Sequence, residues 1–221
     1  MPGEVAASRI RLGILALPLG GMLILAGDLI VPGFGSLAEG AGYAEMVVSR
    51  SYEVVAIAYA LGNTLYLFGV FALYAYLAGG RGERWGLIGL VLVVFWLVSF
   101  IIYYGATGFT EPALGRRYLG GDEDAFIVYD AGLFTDAVYF VFDWFGYAGF
   151  VLLGVGMWRS GTLPQGAVIL ALAFLALNPV AYAVTNDLAL VTDLLLVIAG
   201  GWISWVVWRQ LSPTKARPRV R

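Results

Sequence analysis

Three acids, Asp28, Asp143 and Asp193, lie within apolar runs of this 221-residue chain, and no base lies near them in sequence. Two amides, Asn63 and Asn178, occupy similar runs. Carboxyls and amides in an apolar setting can share protons, hydrogen-bond across helices or hold a cation. The rest of the composition removes most other chemistry. There is no cysteine and no histidine. Disulfides, iron–sulfur clusters, thiolate catalysis, imidazole-held haem, the usual zinc and copper sites and His-based acid–base catalysis are therefore excluded. The lone lysine, Lys215, lies in the polar C-terminal segment, so a Schiff base inside a membrane is excluded too. A net charge of −2 argues against nucleic acid as a partner. No metal and no cofactor is expected.

The elements that must carry these residues follow from hydropathy. The chain is 61% hydrophobic and 13% charged, against roughly 45–50% and about 25% in soluble domains. Apolar runs long enough to cross a bilayer occur at about 10–31, 52–78, 85–107, 136–158, 165–185 and 187–208. The expected fold is all-α: a polytopic bundle of six transmembrane helices, forming one domain over 1–208, with a basic tail at 209–221. Span one has no small-x-small site after it, so it reads as a retained span rather than a cleaved signal peptide. With the N-terminus inside, Arg9, Arg11, Arg81, Arg84, Arg159, Arg209, Lys215, Arg217, Arg219 and Arg221 are all cytoplasmic, and only Arg50, Arg116 and Arg117 are external. That asymmetry predicts cytoplasmic N- and C-termini in a bacterial inner membrane. The tail is expected on anionic lipid head groups. The connections at 79–84 and 159–164 are short and make antiparallel neighbours. Residues 32–51 are expected to hold a short interfacial helix from about Ser36. Residues 108–124 are expected to form a mixed-charge loop.

Depth can be measured from the cytoplasmic anchors at ~1.5 Å per residue. Asp28 then lies ~5 Å below the outer boundary, Asn63, Asp143 and Asp193 ~8 Å, and Asn178 ~12 Å. Asp136 and Asp187 fall at the rim, and Asp130 outside. Five polar groups from five spans thus share one band in the outer half of the bilayer. At 100° per residue Asp136, Tyr139, Asp143 and Tyr147 form one stripe, expected to face the bundle interior with Asp28 and Asp193 pointing toward it. The acids can be protonated and bonded to Asn, Thr and Tyr. They can pair with Arg50, Arg116 or Arg117 reaching down from outside. Or they can bind a cation, from a proton or sodium ion to an organic amine. Asn63 and Asn178 are expected to bond between helices.

Many of the 30 glycines lie inside spans, where they suit close helix packing and offer faces for an oligomer. Trp85, Trp158, Trp205 and Trp208 fit an inner aromatic belt. The stretch "YDAGLFTD" at 129–136 lacks the Gly-x-Gly-Asp sequence and the two-helix placement of intramembrane aspartyl proteases, so no catalytic residue is assigned.

"LYAYL" at 73–77, "RWGLIG" at 84–89, "GTLPQGAVILAL" at 161–172 and "WISWVVWRQ" at 202–210 resemble segments of six-span bacterial membrane proteins of actinobacterial type, a group of unknown function. The resemblance implies a fold and a location but no substrate. From the residues, the leading expectation is an acidic cavity in the outer half of the bilayer, formed by Asp28, Asn63, Asp136, Tyr139, Asp143, Asn178 and Asp193. It would bind or pass a small cationic or proton-coupled solute. The alternative is an accessory subunit of a membrane complex, and an intramembrane enzyme ranks third.

Overall fold

The computed structural model of the protein describes residues 4–32, 40–126, 133–184 and 186–212; at 133–140, 179–184, 186–187 and 189 it describes the backbone alone. The described residues form eight helices and no strand. They are α1 (Glu4–Ile14), α2 (Ala16–Ile30), α3 (Ala41–Val47), α4 (Arg50–Leu77), α5 (Glu83–Leu119), α6 (Leu133–Ser160), α7 (Gln165–Val184) and α8 (Asn186–Leu211). Five helical segments among the described residues are long and apolar enough to cross a membrane: Glu4–Ile30, Arg50–Leu77, Glu83–Leu119, Val141–Ser160 and Leu190–Leu211. In α7 the apolar stretch Gln165–Asn178 is shorter.

The helices close into a ring in chain order. Helix α2 packs on α4, α4 on α5, α5 on α6, α6 on α7, α7 on α8, and α8 returns to α2. The ring surrounds a core that includes Leu17, Val70, Leu97, Leu153, Phe174 and Ile203, one or more from each wall. Outward-facing residues are just as apolar. Leu19, Ile57, Phe68, Phe95, Val151, Ile169 and Ile198 are all exposed. A belt of this kind around a bundle is the surface that lipid covers and water does not.

The first span is broken at Leu15, and Pro18 explains the break. Proline has no N–H, so the Ile14 carbonyl one turn earlier has no helical donor. The Ser204 hydroxyl of α8 donates to that carbonyl at 2.7 Å, buried between the helices. Replacing Ser204 with alanine leaves the carbonyl without its donor. Denaturation in mixed micelles is expected to show a loss of about 1 kcal/mol.

Glycines set the helix separations. A methyl on Gly20 of α2 would stand 2.5 Å from the Gly62 carbonyl oxygen of α4. A methyl on Gly89 of α5 would stand 2.5 Å from the Leu153 nitrogen of α6. Backbone contact at this range is open only to residues without a Cβ.

The short connections gather at one end of the ring. There Gly79 and Gly161 take left-handed φ values of 79° and 64°, closing α4 and α6 in the conformation that suits glycine. Tyr76 donates to Gln210 Oε1, and Gln210 Nε2 donates to the Thr162 carbonyl at 2.8 Å, so α4, α8 and the 161–164 turn are tied together. Trp85, Trp158, Trp205 and Trp208 are exposed. The Arg209 guanidinium lies 4.1 Å from the Trp205 ring centre and that of Arg11 5.4 Å from Trp208. Such stacked, half-wet cations suit a head-group layer.

At the opposite end the structure corrects the sequence reading. Helix α5 does not stop near 107 but continues through Pro112 to Leu119, giving 37 residues. That is ~55 Å of helix, longer than the ~30 Å of a hydrocarbon core. The mixed-charge loop shrinks accordingly. Burial keeps the proline helical: Glu111, Pro112 and Gly115 form an inward face, and a methyl on Gly115 would meet Val47 of α3 at 2.5 Å. The 32–51 connection holds the short helix Ala41–Val47; its expected start near Ser36 lies outside the described residues.

Candidate functional site

Two of the three expected acids meet. Asp28 of α2 is 5% exposed and Asp193 of α8 is 2% exposed. The two carboxyls lie close enough to interact electrostatically. The Tyr59 hydroxyl of α4 donates to Asp28 Oδ1. Each acid retains a buried Oδ2 with no donor among the described residues.

Local packing explains the meeting. Gly27 precedes Asp28, and a methyl there would lie 2.6 Å from the Tyr59 ring, so the glycine admits the tyrosine against α2. Gly21, two turns earlier, lies against Val197 of α8, one turn beyond Asp193. Close approach of α2 to α4 on one side and to α8 on the other leaves both carboxyls enclosed.

Asp143 does not join them. It accepts a hydrogen bond from Trp96 Nε1 at 3.1 Å, across the α5–α6 seam. Gly146 gives the Trp96 ring its place, since a methyl there would stand 2.5 Å from the indole. Tyr147, one turn further along α6, lies within electrostatic reach of Asp143. Asp136 and Tyr139, also expected in the stripe, lie outside the described side chains, as does Asp187. Asp130 lies outside the described residues. The expected single cluster of three acids is thus a pair and a separate carboxyl, because α6 packs on α5 and α7 rather than on α2 or α8.

The amides also differ from expectation. Asn63 is buried, but its Nδ2 donates back to the Tyr59 carbonyl of its own helix at 2.9 Å rather than across to another. The bond ties the Asn63 side chain to the turn that carries Tyr59. Asn178 is half-buried, beside exposed Leu177. Among the described residues no arginine pairs with these acids. Arg117 pairs with Asp122 at 2.5 Å on the surface, and Arg50 and Arg116 are exposed.

A further carboxyl was missed. Glu111 of α5 is 2% exposed, and its Oε2 accepts from both the Tyr43 hydroxyl of α3, at 2.6 Å, and the Tyr52 hydroxyl of α4. Burial, and next the hydrogen bond and charge of Glu111, push the Tyr43 phenol far above its usual range, so it remains an O–H donor. The polar setting of Glu111 in "GFTEPALGRR" reads as loop. Its spacing to Thr107 and Gly115, four residues each way, was the available signal for a buried helical face.

Aromatic rings join the two regions. Tyr59 packs on Tyr104, with centres 4.6 Å apart, and Tyr104 on Phe100 at 5.5 Å. Phe100 packs on Trp96 at 4.9 Å. Tyr59 and Trp96, the donors to Asp28 and Asp143, therefore stand at the two ends of one ring column. Among the described residues no group of three or more His, Cys, Asp or Glu side chains could hold a metal ion. Comparison with family models, with curated proteins and with solved structures finds no match to the chain.

Proposed function

We propose that this chain is a six-span protein of a bacterial inner membrane, with both termini cytoplasmic, that binds a proton or small monovalent cation at Asp28–Asp193 and couples it to passage of a solute. One observation carries the reading. Two carboxyls from different helices lie within interaction range, are sealed from solvent, and each hold an oxygen that no donor among the described residues reaches. Two adjacent carboxylates cannot both stay charged in an apolar interior without a counter-charge. No arginine among the described residues supplies it, and the sole lysine is far away in sequence. A shared proton gives one orphaned oxygen its donor; a small cation gives both a ligand. The enclosure of both groups favours these occupants over an organic amine.

Infrared spectroscopy of the protein in bilayers tests this. A protonated carboxylic C=O band, reduced in Asp28→Asn and in Asp193→Asn, is the expected result with a proton. Displacement of that band by sodium or lithium at fixed pH, with a rise in Tm lost in Asp193→Asn, identifies the cation. Absence of the band together with absence of any cation-dependent Tm shift overturns the proposal.

The topology has its own test. The chain has no cysteine, so each introduced thiol is unique. Cysteine at Gly80 or Thr162 is expected to resist an impermeant maleimide added to intact cells, and cysteine at Glu123 to react. The reverse pattern would sink the orientation.

A further inference from the structure

Thr107 of α5 is fully buried, and its Oγ1 has no hydrogen-bond partner among the described residues. That is unusual for this chain. Thr64 donates back to the Ala60 carbonyl, Ser99 to Trp96 and Ser160 to Met157, each within its own helix at 2.6–2.7 Å. Ser204 donates across helices to Ile14. A buried hydroxyl without a partner is destabilising, so its position calls for a cause.

Its position is between the two carboxyl sites. Glu111 is one turn further along α5, with Cβ atoms about 5–6 Å apart. On α4, Tyr52 bonds Glu111 and Tyr59 bonds Asp28, two turns or ~10.5 Å apart along the helix. Ala56 lies midway between them, and a methyl on Gly108, the residue after Thr107, would meet Ala56 at 2.7 Å. Thr107 is therefore level with the gap between the two tyrosines. The groups that face this seam are Tyr43 from α3, Tyr52 and Tyr59 from α4, and Tyr103, Tyr104 and Glu111 from α5. All are carboxyl or phenol, and none is a fixed cation that would repel a proton.

We propose that the α4–α5 seam is the proton's route between the α3 end and the Asp28–Asp193 pair, with Glu111 as its mouth, Thr107 as the intermediate station and Tyr59 as the last donor. This rests on the reading of the pair as a proton site. Each hydroxyl takes a proton on its oxygen as it releases its own, so the relay leaves no net charge behind. The relay calls for one water between Glu111 and Thr107 and one between Thr107 and Tyr59.

Hydrogen–deuterium exchange of the carboxylic C=O band in D2O tests the route separately from the site. Thr107→Val keeps the shape and removes the hydroxyl. It is expected to slow exchange at least tenfold while leaving the amplitude of the band unchanged. Thr107→Ser should exchange like wild type, and Thr64→Val, whose hydroxyl serves only its own helix, should be neutral. Exchange at the wild-type rate in Thr107→Val, with the band intact, overturns the route and leaves the site standing. Absence of the band in wild type overturns the site itself, and the route with it. Should Thr107→Val fail to fold, Tyr59→Phe, which removes the last donor of the relay, carries the same test: slowed exchange supports the route, and an unchanged rate with the band intact refutes it.

Discussion

Replacing Gly89 with alanine is expected to cost about 3 kcal/mol of unfolding free energy. The new methyl would stand 2.5 Å from the Leu153 nitrogen and 2.7 Å from the Gly149 carbonyl oxygen, both backbone atoms of α6. A flexible side chain could swing away, but these atoms move only if the helix moves. The facing contact is equally tight, with a methyl on Gly149 falling 2.8 Å from the Val93 nitrogen. Separating α5 from α6 would also loosen the Trp96–Asp143 bond that crosses the same seam. Gly201→Ala on α8 is the control, because nothing lies within 4 Å of its new methyl. There the gain in helix propensity, up to about 1 kcal/mol, should raise stability or leave it unchanged. Thermal unfolding followed by tryptophan fluorescence in one detergent compares the two. Equal Tm values for Gly89→Ala and wild type would refute the packing argument.

Glu111→Ala is the second large effect, expected at about 3 kcal/mol. The substitution removes the acceptor shared by half-buried Tyr43 and buried Tyr52. Tyr43 is the polar tie between α3 and α5, so loss of the acceptor should free α3 as well as lower stability. Proteolysis within 40–49 should accelerate in Glu111→Ala. Glu111→Gln keeps a carbonyl acceptor and should retain most of the protection. If both variants resist the protease like wild type, the docking of α3 does not depend on Glu111.

Much of the architecture was legible because a membrane helix must satisfy its own backbone and match a fixed thickness. Long apolar runs therefore became helices close to the expected bounds: 52–78 is observed as Arg50–Leu77 and 136–158 as Leu133–Ser160. The belt tryptophans emerged exposed for the same reason. Boundaries failed where protein rather than lipid covers the helix. The polar end of α5 is helical because α3 and α4 bury Glu111, Pro112 and Gly115, and no hydropathy window registers that cover.

The candidate site divides along similar lines. Depth follows from counting residues at a constant rise, so the sequence by itself led to the expectation that Asp28, Asn63, Asp143, Asn178 and Asp193 share one half of the spans. It also determined the absence of any intramembrane base. Which of these groups meet depends on the order of helices around the ring and on how each is rotated, and one sequence contains no term for either. Only the tertiary structure decided that α8 returns to α2 and pairs Asp193 with Asp28, while α6 delivers Asp143 to Trp96. The physical reason is that depth is a local property of one helix, whereas partnership is set by glycine-to-backbone contacts between helices distant in sequence.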